Sequence, residues 1–268
     1  MDWTGDEPEQ IIASWVEDDD SPLTVTYSAS GAVRWIACPE LGFIRFTAES
    51  DSVTFHPLDS ANLDSFVQYA SRRWLPRVYN YWGFQVLHAA SAYHEATHTA
   101  IAFCGPTFTG KSTLAYALGR RAGWTQVTDD VLALDQREGG LFLKMIPSMI
   151  SLRTRTARHF GEVPFSFASL PWPDAELRLS TIFLLEAIDT PDAIPEVTPV
   201  SPADGYVELL KQAFIVSEND ADARRRLAVD YLKLMNTVTL YRLLYPRTFE
   251  QLDATLDLVE ARAQTSES

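Results

Sequence analysis

Residues 99–122 read TAIAFCGPTFTGKSTLAYALGRRA, and they decide the fold of the chain. An apolar run from Ala100 to Cys104 predicts a buried strand, and a turn signal follows at Gly105. From Leu114 onward, apolar residues recur at helical spacing. Between strand and helix, residues 105–112 fill the spacing G-x-x-x-x-G-K-S, which is typical of a phosphate-binding loop. The stretch therefore predicts strand, phosphate loop and helix, and with them nucleotide binding.

The residue types of this loop suit the chemistry of phosphate binding. Glycine lets successive backbone N–H groups turn inward on phosphate oxygens, and the following helix adds its positive N-terminal end. Lys111 can reach the β- and γ-phosphates of a nucleotide, and the Ser112 hydroxyl can hold Mg²⁺. The predicted nucleotide-binding residues are Gly105, Pro106, Thr107, Phe108, Thr109, Gly110, Lys111, Ser112 and Thr113.

A phosphate loop of this kind needs an acidic partner to hold the metal or to activate a nucleophile. Asp129 and Asp130 follow a predicted strand at 124–128, directly after the loop helix. In a parallel α/β sheet the end of that strand lies on the same edge as the phosphate loop, which favours a functional role over an ordinary solvated turn. Glu186, after the apolar run 182–185, is the second candidate, and we interpret it as an ordinary edge carboxylate.

Two further sets of residues are candidates from their position. His88 lies in a predicted strand, 84–92, that a hairpin would place beside the phosphate loop, so a functional role and a packed one are equally open. A predicted loop at 147–158 carries Arg153, Arg155 and Arg158. Arginines can clamp a phosphoryl group in transfer, although solvated arginines are the commoner outcome.

Three motifs taken together resemble the catalytic domain of HPr kinase/phosphorylase. They are VLHAAS at 86–91, GPTFTGKST at 105–113 and TDDVLAL at 128–134. The chain resembles more closely the shorter HPr-kinase-like proteins found among peptide-tailoring enzymes, such as lasso peptide kinases. The motif match runs from about residue 84 to 160 and continues more loosely to residue 250.

The resemblance implies an ATP-dependent kinase that uses Mg²⁺, acts on a serine hydroxyl and has a fold related to phosphoenolpyruvate carboxykinase. By position, it implies that His88 lies beside the transferred phosphate and that Lys111 binds the β/γ oxygens. Asp129 would be the base on the acceptor hydroxyl. Ser112 and Asp130 would hold the metal or its water.

The sequence departs from the full HPr enzymes at two points. Their loop ends in Lys-Ser-Glu, whereas Thr113 follows Ser112 here. The glycine-rich signature that accompanies their phosphorylase reaction is not found in the sequence either. Both departures count against reverse phosphorolysis and against HPr itself as the acceptor.

The rest of the chain suggests two domains of an α/β protein. Residues 1–83 carry short strand patterns and a helical pattern, which predicts a small β-rich lobe with a connecting helix. Residues 84–268 would form the HPr-kinase-like catalytic domain with the phosphate loop. Within it, the proline-rich segment 189–204 predicts an exposed linker or loop.

Composition excludes several other classes of protein. The net charge of −14 argues against binding to nucleic acid, and the acidic segment 1–20 predicts a solvated N-terminus. Two cysteines, Cys38 and Cys104, provide neither a disulfide framework nor a metal-binding spacing. The sequence has no signal peptide and no apolar run near the roughly 18 residues of a spanning helix, so we expect a cytoplasmic protein that does not bind membranes. A homo-oligomer is compatible with the sequence.

These observations predict a kinase that transfers the γ-phosphoryl group of ATP to a serine-type hydroxyl of a peptide or protein acceptor. Two alternatives stay open. One is a small-metabolite kinase of the same fold, acting for example on free serine. The other is a non-catalytic ATP-binding module that regulates a partner.

Overall fold

The computed structural model describes residues 8–17, 22–50, 52–59, 62–165, 167–214 and 221–265. Its contacts cluster into two compact units. The first comprises Met1–Gly83 with Ile215–Arg225, and the second comprises Phe84–Phe214 with Arg226–Ser268. None of the helices in these described ranges combines the length and the apolar character needed to cross a membrane.

The first unit contains a five-stranded antiparallel sheet whose strands pair in chain order. Aromatic and β-branched residues are frequent along these strands and are buried on both faces, since the consecutive residues Trp35 and Ile36 are both fully buried, as is Ile44. Two helices follow, and Pro76 lies in the first turn of the second, where a missing N–H is tolerated. The elements are β1 (Gln10–Glu17), β2 (Leu23–Ser30), β3 (Val33–Cys38), β4 (Gly42–Thr47), β5 (Thr54–Pro57), α1 (Leu63–Arg73) and α2 (Leu75–Tyr81).

The prediction of a solvated N-terminal acidic segment is wrong for Glu17. Strand β1 ends on this residue, whose side chain is buried. Its carboxylate accepts hydrogen bonds from the Trp15 indole (2.7 Å), the Tyr69 hydroxyl (2.7 Å) and the Trp74 indole (3.3 Å). A glutamate is buried here because donors from β1, from α1 and from the junction between the two helices surround it. Asp2, Asp6, Glu7 and residues 18–20 of the same segment lie outside the described residues.

The second unit is built on a nine-stranded mixed sheet. Seven strands follow the order β6-β10-β11-β14-β8-β7-β9, and β16 pairs with both β14 and β15. Strands β8, β14 and β16 are parallel to one another. The strands are β6 (Gln85–Leu87), β7 (Ala89–His94), β8 (Thr99–Cys104), β9 (Trp124–Thr128), β10 (Leu132–Arg137), β11 (Gly140–Lys144), β14 (Arg178–Ile188), β15 (Glu196–Pro199) and β16 (Thr239–Pro246), and a separate pair is formed by β12 (Met149–Ser151) and β13 (Phe167–Ser169).

Helices cover both faces of the large sheet, because successive residues of β8 belong alternately to two buried clusters that include helical residues. Ala100, Ala102 and Cys104 belong to one buried cluster, which includes residues of α5 (Pro202–Leu210) and α6 (Ala221–Leu234). Ile101 and Phe103 belong to the other, with residues of α3 (Lys111–Leu118) and α7 (Leu252–Thr265). Successive residues of a strand point to opposite faces, so a continuous apolar run marks a strand buried on both sides.

Two segments predicted as loops contain ordered elements. Residues 147–158 contain strand β12 and the start of helix α4 (Thr154–Phe160). In residues 189–204 the prediction of a loop is confirmed for 189–195, which lie in neither a helix nor a strand, and is wrong for β15 and the first turn of α5. Pro199 fits at the end of β15 because this strand lies at the edge of the sheet beside β16. Pro202 opens α5 behind Ser201, whose hydroxyl accepts from the Asp204 N–H (3.2 Å). Proline at such positions interrupts the sequence pattern of a strand or helix, but it is compatible with an edge strand and with the first turn of a helix.

Candidate functional site

The phosphate-loop sequence connects β8 to α3 in a tight turn at the carboxyl-terminal edge of the large sheet. Gly110 is the N-cap of α3 with φ +98°, and a Cβ at this position would collide with the Tyr245 hydroxyl. A Cβ on Gly105 would lie 3.2 Å from the Leu185 carbonyl oxygen. The two glycines are therefore required by backbone conformation and by close packing, as the motif predicts.

Lys111 is buried beneath this loop, with only 6% of the residue exposed. Its ammonium group donates to the carbonyl oxygens of Gly105 (2.7 Å) and Pro106 (3.1 Å). Burial lowers the pKa of Lys111, and the charges of Asp130 and then Asp129 oppose that shift. A buried cation held by neutral carbonyls is well placed to exchange them for phosphate oxygens.

The two hydroxyl residues after Lys111 have different surroundings. Thr113 lies 3.2 Å, hydroxyl to hydroxyl, from Thr156 of α4, so it joins two helices. Ser112 is partly exposed in the first turn of α3. Of the two, Ser112 is the better placed to bind a metal ion at the mouth of the loop.

Asp129 and Asp130 lie on the same edge of the sheet as the phosphate loop. Strands β8 and β9 each pair antiparallel with β7 between them, so they run in the same direction. Asp129 is only 3% exposed, accepts a hydrogen bond from the Gln126 amide (3.4 Å), and donates its N–H to the Ser148 hydroxyl (3.2 Å). Asp130 is partly exposed at the mouth of the site.

His88 occupies the break between β6 and β7, where the sequence predicts one continuous strand. Because Ala89 pairs with Cys104 across the sheet, His88 stands beside the start of the phosphate loop. Its Nε2 lies 3.4 Å from Asp130 Oδ1, and each side chain is about one-third exposed (31% and 32%). The strand pattern is therefore interrupted at the residue whose imidazole lies against the Asp130 carboxylate.

A cavity of about 370 Å³ opens between His88 and the residues Pro106 and Thr107 of the loop. Its other wall is formed by residues 211–214. Two backbone hydrogen bonds hold this wall in place: the Phe214 N–H donates to the Val86 carbonyl (2.9 Å), and the His88 N–H donates to the Gln212 carbonyl (2.7 Å). Sequence reasoning missed this wall. No sequence signal identifies it, because its anchors lie more than 100 residues away along the chain.

The three candidate arginines are separated by the structure. The Arg153 guanidinium lies over the ring of Phe108, 4.1 Å from its centre. Arg155 lies instead over Phe249 (5.4 Å), and Arg158 is exposed on α4. Arg153 lies against the phosphate loop because it is the N-cap of α4, whereas Arg155 and Arg158 lie further along that helix.

Two more residues from the end of β16 contact the loop and were missed by sequence reasoning. The Tyr245 hydroxyl donates to the Thr109 carbonyl, and the Arg247 guanidinium donates to the Phe108 carbonyl (2.8 Å). Burial raises the pKa of Tyr245, so its hydroxyl keeps its proton at neutral pH. These contacts hold the tip of the loop from the β14–β16 side of the sheet.

Glu186 takes no part in this group of residues. It is exposed within β14, two residues before the strand ends, and its carboxylate pairs with the Arg242 guanidinium (2.7 Å). This arrangement is an ordinary surface ion pair between neighbouring parallel strands.

The residues of the site suit a magnesium ion bound together with a nucleotide. Among the described residues there is no group of three or more His, Cys, Asp or Glu side chains that could hold a metal ion. Mg²⁺ does not need such a group, because it is commonly bound by one or two carboxylates together with substrate phosphates and water. Ser112 and Asp130 supply a hydroxyl and a carboxylate of this kind.

Comparison with known proteins gives little further information. No family model and no curated protein matches the chain. Among solved structures, the chain is similar to the HPr(Ser) kinase/phosphatase from Coxiella burnetii, with 15% identity over 68% of this chain and 93% of that chain and a TM-score of 0.37. A similarity at this level does not assign an activity, so the functional proposal rests on the site itself.

Proposed function

We propose that the protein transfers the γ-phosphoryl group of ATP to a serine-type hydroxyl of a peptide or protein. One observation carries this proposal: three strand ends bring Lys111, Asp129 and the His88–Asp130 pair to a single edge of the sheet, around a glycine-dependent phosphate loop. A buried cation beside two carboxylates is the charge arrangement that phosphoryl transfer requires.

The loop and the helix behind it would hold the triphosphate. Backbone N–H groups at the start of α3 and the Lys111 ammonium would bind the β- and γ-phosphate oxygens. Ser112 and Asp130 would hold Mg²⁺, which neutralises phosphate charge when bound. His88 lies against Asp130 and would fix the orientation of that carboxylate beside the transferred group.

Asp129 is the residue that we assign to proton removal. In the transfer, the acceptor oxygen forms a bond to the γ-phosphorus, the bond to the β–γ bridging oxygen breaks, and the hydroxyl proton passes to the Asp129 carboxylate. The Gln126 amide at 3.4 Å holds one oxygen of that carboxylate.

One observation favours a small-molecule acceptor as a second candidate. The cavity beside His88 has a volume of about 370 Å³, which lies at the low end of the range for small-molecule sites. Free serine or a hydroxyl metabolite would fit such a space, whereas a peptide would insert only one side chain.

The test is phosphate transfer from γ-labelled ATP in Mg²⁺ buffer. Serine-containing peptides, HPr and free serine would be offered to the wild type, to Lys111→Met and to Asp129→Asn. Glu186→Gln is the matched control, because Glu186 is a carboxylate of the same sheet that takes part only in a surface ion pair.

We expect one class of acceptor to be labelled by the wild type and by Glu186→Gln, and by neither of the other variants. Labelling of free serine alone would select the small-metabolite kinase. If ATP binds but no acceptor is labelled by any of the four proteins, the transferase proposal is wrong, and a regulatory nucleotide-binding module replaces it.

A further inference from the structure

Phe108, at the tip of the phosphate loop, has a conformation and an exposure that packing does not explain. Its φ is +71°, a left-handed value that is uncommon for a bulky residue, and 66% of the residue is exposed. Such strain persists only where the surroundings impose it, and it tends to occur at ligand sites. An exposed aromatic ring in this conformation therefore calls for a functional explanation.

Three contacts impose the conformation of this residue. Arg247 donates to the Phe108 carbonyl (2.8 Å), and Tyr245 donates to the next carbonyl, that of Thr109. The guanidinium of Arg153 lies 4.1 Å from the centre of the Phe108 ring. The main chain is thus held from β16, while the ring is supported by a planar cation that leaves most of the residue exposed.

The order of strands gives the two sides of the loop different roles. On one side of β8 lie β7 and β9, whose ends carry His88, Asp129 and Asp130. On the other side lie β14 and β16, and residues at the end of β16 hold the loop tip. A nucleoside triphosphate whose γ-phosphate points to the carboxylates must place its nucleoside away from them.

The position of α4 agrees with this direction. The Thr113–Thr156 contact (3.2 Å) sets α4 beside the first turn of α3, where the chain of phosphates would leave the loop. Arg153 is the N-cap of α4, so its guanidinium and the Phe108 ring lie near that exit. A planar base joined to the α-phosphate through ribose would reach this pair first.

We infer that the Phe108 ring, backed by the Arg153 guanidinium, is the stacking surface for the base of a nucleoside triphosphate. This inference rests on the proposed function and adds the part of the site that binds the base. Stacking on an aromatic ring recognises the face of a base and not its edge, so ATP and GTP would both bind. Inorganic tripolyphosphate, which has no base, would gain nothing from the ring.

The experiment compares two ligands on four proteins by calorimetry in Mg²⁺ buffer. The ligands are ATP and inorganic tripolyphosphate, and the proteins are the wild type, Phe108→Ala, Phe108→Tyr and Phe142→Ala. Phe142 is the matched control because Arg137 lies over its ring at 4.2 Å. It pairs with Arg178, which itself pairs with the first residue of β8, so it lies at the opposite edge of the sheet from the phosphate loop.

We expect the wild type to bind ATP more tightly than tripolyphosphate. Phe108→Ala should weaken ATP binding by about tenfold and leave tripolyphosphate binding unchanged, because alanine removes the stacking face. Phe108→Tyr should keep wild-type affinity for ATP, and Phe142→Ala should match the wild type with both ligands.

Three results would overturn the inference, and a fourth would overturn the proposed function with it. Equal losses for both ligands in Phe108→Ala, or no loss for ATP, would show that the ring does not bind the base. Equal affinity of the wild type for ATP and tripolyphosphate would show the same while leaving the phosphate site intact. If the wild type bound neither ligand, the nucleotide site itself would be refuted.

Discussion

Each of the two compact units buries a charged side chain, and the two are held in opposite ways. Glu17 in the first unit is 8% exposed and Lys111 in the second is 6% exposed. Glu17 accepts hydrogen bonds from two indoles and a phenol, and the Arg77 guanidinium lies 3.5 Å from its carboxylate. Lys111 donates to two backbone carbonyls of its own loop.

The difference separates a structural charge from a functional one. The donors around Glu17 include a cation and fill the positions around its carboxylate, so the group is neutralised where it lies. The carbonyls around Lys111 carry no net charge, and the carboxylates nearby do not offset the effect of burial on its pKa. Glu17 therefore stabilises the fold of its unit, while Lys111 is placed to bind an anion.

The largest expected effect is that of Lys111→Met on phosphoryl transfer. Methionine keeps the apolar stem and removes the charge, so the transfer rate should fall by at least about 100-fold. The free energy of unfolding should change by no more than about 1 kcal/mol, because a poorly neutralised buried charge adds little stability. Rates measured with labelled ATP, beside chemical denaturation, check both halves. A loss of several kcal/mol would make Lys111 a structural residue like Glu17 and would break the comparison.

Glu17→Ala should show the reverse behaviour. Removing the carboxylate leaves two indoles, a phenol and a guanidinium with a lost partner, so unfolding of the first unit should become easier by about 3 kcal/mol. Transfer per folded molecule should be unchanged. Glu49→Ala is the control, since Glu49 is an exposed glutamate of the same unit, and surface substitutions usually change stability by less than about 0.5 kcal/mol. Equal destabilisation by both variants would mean that the buried network contributes nothing special.

The features of this chain that its sequence predicts well are those that depend on residues close together along the chain. The strand, loop and helix around Gly105 and Lys111 form from residues within one continuous stretch, and the structure shows all three. The strand before Asp129 has the same local character, and the pairing of β7 with β8 and β9 sets its end at the loop. Local pattern was also misleading in places: the prolines of 189–204 predict a loop, yet Pro199 lies in an edge strand and Pro202 begins a helix.

What sequence could not predict is contact across the chain. Glu17 reads as part of an acidic, solvated run until Tyr69 and Trp74, more than 50 residues later, are seen to surround it. Tyr245 and Arg247 hold the phosphate loop from more than 130 residues away. Such residues have no periodicity or spacing that marks them, because their role is set by the order of strands.

A smaller effect is expected from Tyr245→Phe, which tests whether the loop is held in place for binding. The variant removes one hydrogen bond to the Thr109 carbonyl, a contribution of about 1 kcal/mol. Binding of ATP and of tripolyphosphate should weaken by the same factor, about fivefold, since the loop and not the base is affected. Calorimetry with both ligands measures this. A loss confined to ATP would instead place Tyr245 at the base, which would revise the role that we assign to β16.

The smallest expected effect is a pH dependence of stability that belongs to Lys111 alone. Burial lowers the pKa of Lys111 in the folded protein, whereas the unfolded chain keeps the proton up to the ordinary value of 10.5. Between those two values the unfolded state binds more protons, so stability from this group rises as pH rises. The difference in unfolding free energy between wild type and Lys111→Met should therefore shift in favour of the wild type as pH increases toward 10.5.

Denaturation of both proteins at a series of alkaline pH values measures this shift. Tyr69 and Tyr231, whose pKa values are raised by burial, titrate in both proteins and cancel in the difference. A difference that moves in favour of Lys111→Met would mean that the folded protein stabilises the ammonium, as an ion pair would. Lys111 would then be neutralised in the way that Glu17 is, and an incoming phosphate would have to displace a carboxylate, not two carbonyl oxygens.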